Sequence, residues 1–99
     1  MTSSAKPVAS AILAVYNADS TIVACLNSLL KQSLPIEIII IDDGSTDQTK
    51  SLMVRTIELF PQASVKMLKQ NHGGPALARN LGASHAKSDI LLFVDADMV

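Results

Sequence analysis

The sequence predicts an α/β fold in which helices cover both faces of a parallel, Rossmann-like sheet. Apolar segments of strand length alternate along the 99 residues with amphipathic segments of helix length. The strand segments are apolar at successive positions, as in the four isoleucines at 38–41, which is typical of strands buried on both faces. Right-handed crossovers between successive strands then give the strand order 3-2-1-4.

The first half of the chain alternates strand and helix, with segments Ser10–Val15, Ser20–Lys31, Ile36–Ile41 and a helix that ends near Phe60. The first helix has its apolar residues on one face, at Ile22, Val23, Leu26, Leu29 and Leu30. Ser45 followed by Gln48 matches a capping box, which predicts that Ser45 caps the second helix. Asp47 then falls in the first helical turn, where it complements the helix dipole. Pro61 marks the end of this helix.

The second half continues with a strand, a helix and a last strand, at Ser64–Leu68, from Gly74-Pro75 onward and at Ile90–Val94. Proline at the first helical position costs nothing, because its missing N–H has no partner there anyway. The apolar face of this helix is predicted to consist of Leu77, Ala78, Leu81 and His85. The last strand is apolar throughout, which predicts burial.

Composition places the chain among single soluble domains. A hydrophobic content of 48% is ample for a core, and the net charge of −1 gives no footprint for nucleic acid. No segment approaches the roughly 18–20 apolar residues of a membrane span. One cysteine excludes an internal disulfide and fits a reducing compartment, so we expect a cytoplasmic location, with membrane association left open for the full-length protein.

Polar side chains follow three of the four predicted strands, at the point where each strand ends. They are Tyr16 and Asn17 after the first strand, Asp42 and Asp43 after the second, and Asp95 and Asp97 after the fourth. In a 3-2-1-4 sheet the strand order reverses between the first and fourth strands, and ligands bind beyond the carboxyl ends there. The sequence therefore predicts a ligand site at this edge.

Asp95-Ala96-Asp97 is the segment most informative about chemistry. One small residue between the two carboxylates lets both approach one hard cation at the end of a strand. Mg²⁺ or Mn²⁺ held by one or two carboxylates together with substrate phosphates is the usual arrangement for phosphorylated substrates. A metal-dependent phosphate site is the resulting prediction.

Four segments of the chain together resemble the signature blocks of family 2 glycosyltransferases. They are Val15-Tyr16-Asn17, Ile41-Asp42-Asp43-Gly44-Ser45-Thr46-Asp47, Asn71-His72-Gly73-Gly74-Pro75 with Ala78-Arg79-Asn80-Leu81-Gly82, and Phe93-Val94-Asp95-Ala96-Asp97. Their order and spacing match as well, from Ile12 to Asp97. The resemblance implies a partial GT-A fold, a nucleotide-sugar donor that is usually a UDP-sugar, a divalent metal (Mn²⁺ or Mg²⁺), and transfer with inversion at the anomeric carbon.

The resemblance also implies that residues 1–99 form only the donor-nucleotide-binding part of a glycosyltransferase domain. In the family the acceptor site and the catalytic base follow the Asp-x-Asp block, so here they are expected beyond Val99. The fragment alone is then expected to be inactive. An uncovered apolar last strand pairs readily with other chains. We therefore expect a further segment to cover Ile90–Val94, and self-association in its absence.

Carried over residue by residue, the resemblance gives the candidate site. The nucleotide-sugar-binding residues are Ala14, Tyr16, Asn17, Asp42, Asp43, Gly74, Arg79 and Asp95, and the metal ligands are Asp97 and Asp95. The sequence departs from the family at Ala14, where a proline or small polar residue is usual. We expect this to loosen the turn after the first strand, and it leaves the choice of nucleotide open.

Several of these residues have two interpretations. Tyr16 either stacks on the base or caps the core. Asp43 points into the cleft and accepts from the nucleobase N–H, while Asp42 either does the same or ties down the loop. Arg79 pairs with Asp95 or a phosphate, or is an exposed helix charge. Gly74 brings a backbone N–H to a phosphate, or lies in a plain loop. His72 and His85 are interpreted as an ordinary loop and helix residue.

Other functional classes fit the sequence less well. The Asp95 block also resembles the nucleophile block of haloacid-dehalogenase-type phosphatases, but that block normally lies on the first strand. The Asp42-Asp43 pair is similar to that of response-regulator receivers, again a first-strand feature. A dinucleotide-binding G-x-G-x-x-G turn is absent. A non-catalytic nucleotide-binding module remains the second alternative, because the chain offers no identifiable base.

Overall fold

The computed structural model describes residues 7–32 and 34–96. Seven elements alternate along the chain: β1 (Ala9–Val15), α1 (Ile22–Leu30), β2 (Ile36–Asp42), α2 (Thr49–Glu58), β3 (Ser64–Lys69), α3 (Pro75–Ser84) and β4 (Leu91–Asp95). The four strands form one parallel sheet in the order β3-β2-β1-β4. The predicted fold class and strand order are therefore confirmed, and the element bounds differ from prediction mainly at α2.

The core consists of two layers, one on each face of the central strands β1 and β2. On one face, Leu13 of β1 and Ile40 of β2 share a cluster with Leu26 of α1 and Met53 of α2. On the other face, Ile12 packs with the side of α3 that carries Ala78. Because both central strands are covered on both faces, they are apolar at successive positions, as the sequence indicates.

Helix α3 buries a different face from the predicted one, which was Leu77, Ala78, Leu81 and His85. Leu77 and His85 are exposed, whereas Gly82 is buried with Ala78. A Cβ atom at Gly82 would lie 2.6 Å from Ile12 Cγ2 and also from Ile41 Cδ1. The helix thus approaches the sheet most closely at a residue without a side chain, which hydrophobic periodicity cannot detect.

The predicted capping box at the start of α2 is wrong. The helix begins at Thr49, and Gln48 in the cap position makes no side-chain hydrogen bond to the helix. Ser45 Oγ instead accepts from Asn17 N of another loop, at 3.0 Å. Asp47 lies before the helix, where its Oδ1 accepts from Thr49 N at 2.9 Å. The Thr49 hydroxyl also donates to this carboxylate, which lowers the pKa of Asp47.

The last strand is an edge strand, as the strand order predicts, but its apolar side chains are not buried, so the burial predicted from its apolar sequence is wrong for the described residues. Leu92 and Phe93 are about half exposed, at 47% and 54%. The reason is topological: β4 pairs only with β1 among the described residues, while α3 packs on β1 and β2. Within residues 7–32 and 34–96, no helix is long and apolar enough to cross a membrane.

Candidate functional site

The loops that follow β1 and β2 are joined to each other at the carboxyl edge of the sheet. Asn17 adopts a positive φ of 46°, and Thr46 N donates to its Oδ1 at 2.7 Å. The next residue, Ala18, donates its N–H to Thr49 Oγ1 at 2.8 Å. The turn after β1 is therefore held by specific hydrogen bonds. Ala14 itself lies within β1, paired with Ile41 and Asp95, and the looser turn expected from it stays a prediction.

Asp42 and Asp43 are both buried, with different duties. Asp42 Oδ1 accepts from Ser45 N at 3.0 Å, which closes the turn at the end of β2. Asp43 instead faces the cleft described below, as predicted, and also holds the loop before α3. Of the two interpretations of Asp42, the structure favours the loop-fixing one.

The Asp43 carboxylate is the centre of a hydrogen-bond cluster. Its Oδ1 accepts from Gln70 Nε2 and from Gly73 N, each at 2.7 Å, and its Oδ2 accepts from Gly74 N at 3.0 Å. His72 Nδ1 lies 3.1 Å from the same Oδ2. Burial raises the pKa of Asp43, but these hydrogen bonds and the nearby His72 outweigh it and lower the pKa below its ordinary value. Asp43 is thus an ionised carboxylate.

Gly74 precedes α3 with a φ of 97°, a conformation that favours glycine. Its N–H, like that of Gly73, points to Asp43. Neither amide is directed outward at a phosphate, so the structure favours the structural interpretation of this glycine pair.

Tyr16 stacks on His72, with ring centroids 4.2 Å apart and ring planes 27° apart. Tyr16 is 43% exposed and the His72 side chain 61% exposed. The sequence interpretation missed His72, since no local pattern relates it to Tyr16 or Asp43 and only the fold brings the three together. The stacked rings of Tyr16 and His72 therefore lie next to the Asp43 carboxylate.

A cleft of about 320 Å³ opens at the switch point, between the ends of β1 and β4 and the start of α3. It is lined by Ala14, Val15, Tyr16, Ala18, Asp43, Pro75, Arg79, Val94, Asp95 and Ala96. Five of the predicted site residues are among them: Ala14, Tyr16, Asp43, Arg79 and Asp95. Of the other four, Asp97 lies outside the described residues, and Asn17, Asp42 and Gly74 do not line the cleft but take part in hydrogen bonds that hold the loops.

The lining of the cleft also includes a cation and a second carboxylate. Arg79 is exposed on the first turns of α3, and Asp95 ends β4 opposite Ala14. The other predicted metal ligand, Asp97, lies outside the described residues. Among the residues that the structure describes, no three His, Cys, Asp or Glu side chains cluster closely enough to hold a metal ion.

A parallel 3-2-1-4 sheet with an aromatic ring, a carboxylate and an arginine around its switch-point cleft is typical of α/β domains that bind ligands at the carboxyl edge of the sheet. The chain belongs to glycosyl transferase family 2, whose sequence model matches residues 10–99. The family resemblance inferred from the four signature blocks is thereby confirmed. In contrast to a phosphatase nucleophile, Asp95 follows the fourth strand.

Similar proteins include enzymes of known substrate. The chain is 37% identical over 91 residues to the poly(ribitol-phosphate) beta-N-acetylglucosaminyltransferase TarS of Staphylococcus aureus, covering 89% of this chain and 16% of TarS. A TarS 1–349 structure in complex with UDP superposes with a TM-score of 0.79 at 35% identity, covering 90% of this chain and 27% of that one.

A second structural neighbour is the mannosyltransferase PcManGT from Pyrobaculum calidifontis in complex with GDP-Man and Mn²⁺. It superposes with a TM-score of 0.86 at 28% identity, and the match covers 95% of this chain and 28% of that one. The chain therefore spans about a sixth of the whole of TarS, and somewhat more than a quarter of the TarS 1–349 and PcManGT chains.

Proposed function

We propose that this chain is the donor-binding part of an inverting glycosyltransferase that uses a nucleotide-diphospho-sugar, most simply a UDP-sugar. The observation that carries the proposal is the switch-point cleft, which combines Tyr16, Asp43, Arg79 and Asp95 in a member of glycosyl transferase family 2. The UDP complex of TarS and the GDP-Man complex of PcManGT support the donor class.

The nucleobase is proposed to bind between Tyr16 and Asp43. Tyr16 offers a ring face for stacking, and Asp43 offers an acceptor for a base N–H. Both Asp43 oxygens already have hydrogen-bond partners, four in all. Three of these partners are the backbone N–H groups of Gly73 and Gly74 and the part-buried side chain of Gln70. The fourth is His72, whose side chain is 61% exposed. The incoming base therefore displaces His72 from both Tyr16 and Asp43.

The diphosphate is proposed to lie at the other end of the cleft, near Arg79 and Asp95. The donor atoms there suit a hard divalent cation, because a carboxylate and phosphate oxygens are the ligands that Mg²⁺ and Mn²⁺ prefer. Asp95, together with Asp97 beyond the described residues, would hold it. When bound, the cation supplies charge stabilisation to the leaving diphosphate. Arg79 neutralises part of the same charge through its guanidinium.

The attacking side of the reaction is proposed to lie outside these 99 residues. Inversion requires a base that deprotonates the acceptor hydroxyl, which then attacks the anomeric carbon from the face opposite the diphosphate. The cleft-lining residues supply the nucleotide and phosphate contacts, and the chain spans only 16% of TarS. We therefore expect the isolated fragment to bind donor without transferring sugar.

Calorimetry of UDP binding with and without Mn²⁺ tests this function. Mn²⁺ should tighten UDP binding to the wild type, and Asp97→Asn should remove that gain. Asp89→Asn, an exposed aspartate at the start of β4, is the matched control and should keep it. Equal UDP affinity with and without Mn²⁺ would contradict the metal assignment. UDP binding by a full-length protein that transfers no sugar would favour a non-catalytic nucleotide-binding module instead.

A further inference from the structure

Glu37 is a buried carboxylate in a strand that is otherwise isoleucine up to Asp42, and no step of the proposed reaction uses it. It lies at the amino edge of the sheet, opposite to the cleft, and is 7% exposed. Its Oε1 accepts from Ser10 Oγ of β1 at 2.6 Å and from Lys87 N of the segment that leads into β4. A buried carboxylate at this position therefore connects β2 with β1 and with the segment that leads into β4.

Ser88 completes the same connection. Its N–H donates to Ser10 Oγ at 3.2 Å, and its hydroxyl donates to Val8 O at 3.1 Å. The same hydroxyl accepts from Ile90 N at 3.0 Å, immediately before β4 begins. We call Ser10, Glu37, Lys87 and Ser88 the entry network, because they fix the chain where it enters β4.

The side-chain pattern of β4 does not specify its register on β1. Leu91 and Phe93 fall on one face of the sheet and Leu92 and Val94 on the other, so both faces are apolar. A shift by one residue exchanges the faces of a strand, and only an alternating pattern penalises it strongly. From Leu91 to Val94, a shift of β4 exchanges apolar side chains for apolar side chains, and only Asp95 at the end of the strand changes the character of a face. Contacts outside the strand can therefore contribute to its register.

We propose that the entry network sets the register of β4 and thereby places Asp95 in the donor cleft, which makes Glu37 and Ser88 positioning residues for a site that they do not touch. The inference rests on the proposed function of that cleft. In the native register Asp95 lies opposite Ala14. A slip by one residue moves Asp95 by about 3.3 Å along β1 and turns its side chain to the other face.

Disulfide trapping in the full-length protein measures this register directly, with the buried Cys25 first replaced by alanine. Ile12→Cys with Phe93→Cys reports the native register, since these two positions are paired. Ile12→Cys with Leu92→Cys reports the slipped one. With the network intact, only the native pair should oxidise. Glu37→Leu should allow the slipped pair to form, whereas Glu37→Gln should not, because its amide oxygen can still accept.

UDP calorimetry supplies the functional readout on the same variants. Glu37→Leu should reduce the Mn²⁺-dependent gain in UDP affinity by about tenfold or more, as loss of outer support does at metal sites. Binding of uridine, which needs only Tyr16 and Asp43, should persist. A general loss of structure would weaken uridine binding as well as the Mn²⁺-dependent gain in UDP affinity. Glu37→Gln should restore that gain and the native disulfide.

Ser88→Ala is the second variant, for the case that Glu37→Leu does not fold, since it removes one hydroxyl and leaves no charge unpaired. It should shift the same two readouts in the same direction. The proposal would be overturned if either variant folded, oxidised only the native cysteine pair, and kept the full Mn²⁺-dependent gain in UDP affinity. If the wild type bound no UDP while Glu37→Leu still allowed the slipped cysteine pair to oxidise, the proposed function of the cleft would be contradicted. The proposal that the entry network sets the register of β4 would stand.

Discussion

The two ends of β2 carry buried carboxylates that do similar structural work on opposite edges of the sheet. Asp43, at the carboxyl edge, holds the loop that enters α3 through Gln70, Gly73 and Gly74. Glu37, at the amino edge, holds the segment that leaves α3 through Lys87. The segments before and after the crossover helix α3 are thus each held by a carboxylate at one end of β2.

The difference between the two carboxylates lies in what else can reach them. Asp43 borders the open cleft, and one of its partners, His72, is exposed. Glu37 also borders a cleft, of about 1190 Å³ at the amino edge, but its hydrogen-bond partner Ser10 is fully buried. Both carboxylates therefore border a cleft, and they differ in the exposure of their partners and in the edge of the sheet on which they lie. In parallel α/β sheets the carboxyl edge is the one that binds ligands.

The largest expected effect on stability is the difference between two amide substitutions, Asp43→Asn and Glu37→Gln. Asp43 accepts hydrogen bonds on both oxygens, so Asp43→Asn must turn an amide N–H₂ toward one donor or another. Glu37 uses one oxygen for both of its bonds, so Glu37→Gln keeps that acceptor in place. We expect Asp43→Asn to cost about 2 kcal/mol more than Glu37→Gln in the free energy of unfolding.

Urea unfolding of the two variants beside the wild type measures that difference. Equal losses would show that the two carboxylates are held in the same way. Asp43→Asn should also weaken uridine binding, which Glu37→Gln should leave unchanged.

A smaller effect is expected on acidification. The folded-state pKa of Asp43 lies below the ordinary value of 3.8, so its ionised form favours the folded state. This contribution is complete well above pH 3.8 and is lost as the pH falls through 3.8 toward the folded-state pKa. The free energy of unfolding, measured from pH 5 downward, should fall less steeply for Asp43→Asn than for the wild type. If the free energy of unfolding fell equally steeply with pH in both proteins, the pKa of Asp43 would not be lowered by folding.

The smallest effect is expected at His72. His72→Ala should hardly change stability, because the side chain is largely exposed. Uridine affinity should rise by about two- to tenfold, since the base no longer has to break the stack on Tyr16. Competition binding with labelled uridine gives the comparison, and Tyr16→Ala should weaken binding. A weaker affinity for His72→Ala would mean that His72 forms a wall of the base site.

The sequence predicted what depends on local pattern and strand ends. Continuous apolar segments indicated the parallel sheet, Pro75 marked the start of α3, and the positions of Tyr16, Asp43, Arg79 and Asp95 pointed to the cleft that they line. These features are visible because strand length, helix caps and topology relate residues that are close in sequence, or that end neighbouring strands. Asp97 as a metal ligand stays a prediction.

The remaining features depend on contacts between distant segments. Ser45 matches a capping box in the local sequence, yet its hydroxyl oxygen accepts a hydrogen bond from Asn17 N of another loop. Glu37 looks like an interruption of an isoleucine segment until Ser10 and Lys87 are brought beside it. Gly82 lacks the side chain by which an apolar face is recognised. Partners far apart in sequence, or missing side chains, leave no periodic signal.

The position of β4 has a consequence for the order in which the domain folds. β1, α1 and β2 are consecutive and can assemble early, whereas β4 must find β1 across the whole length of the described chain, with Ser10 pairing with Leu91. Closing so long a loop delays its contacts relative to local ones. Until then the apolar side chains of β4 are unpaired, which favours off-pathway association. We therefore expect the cleft between β1 and β4 to form late in folding.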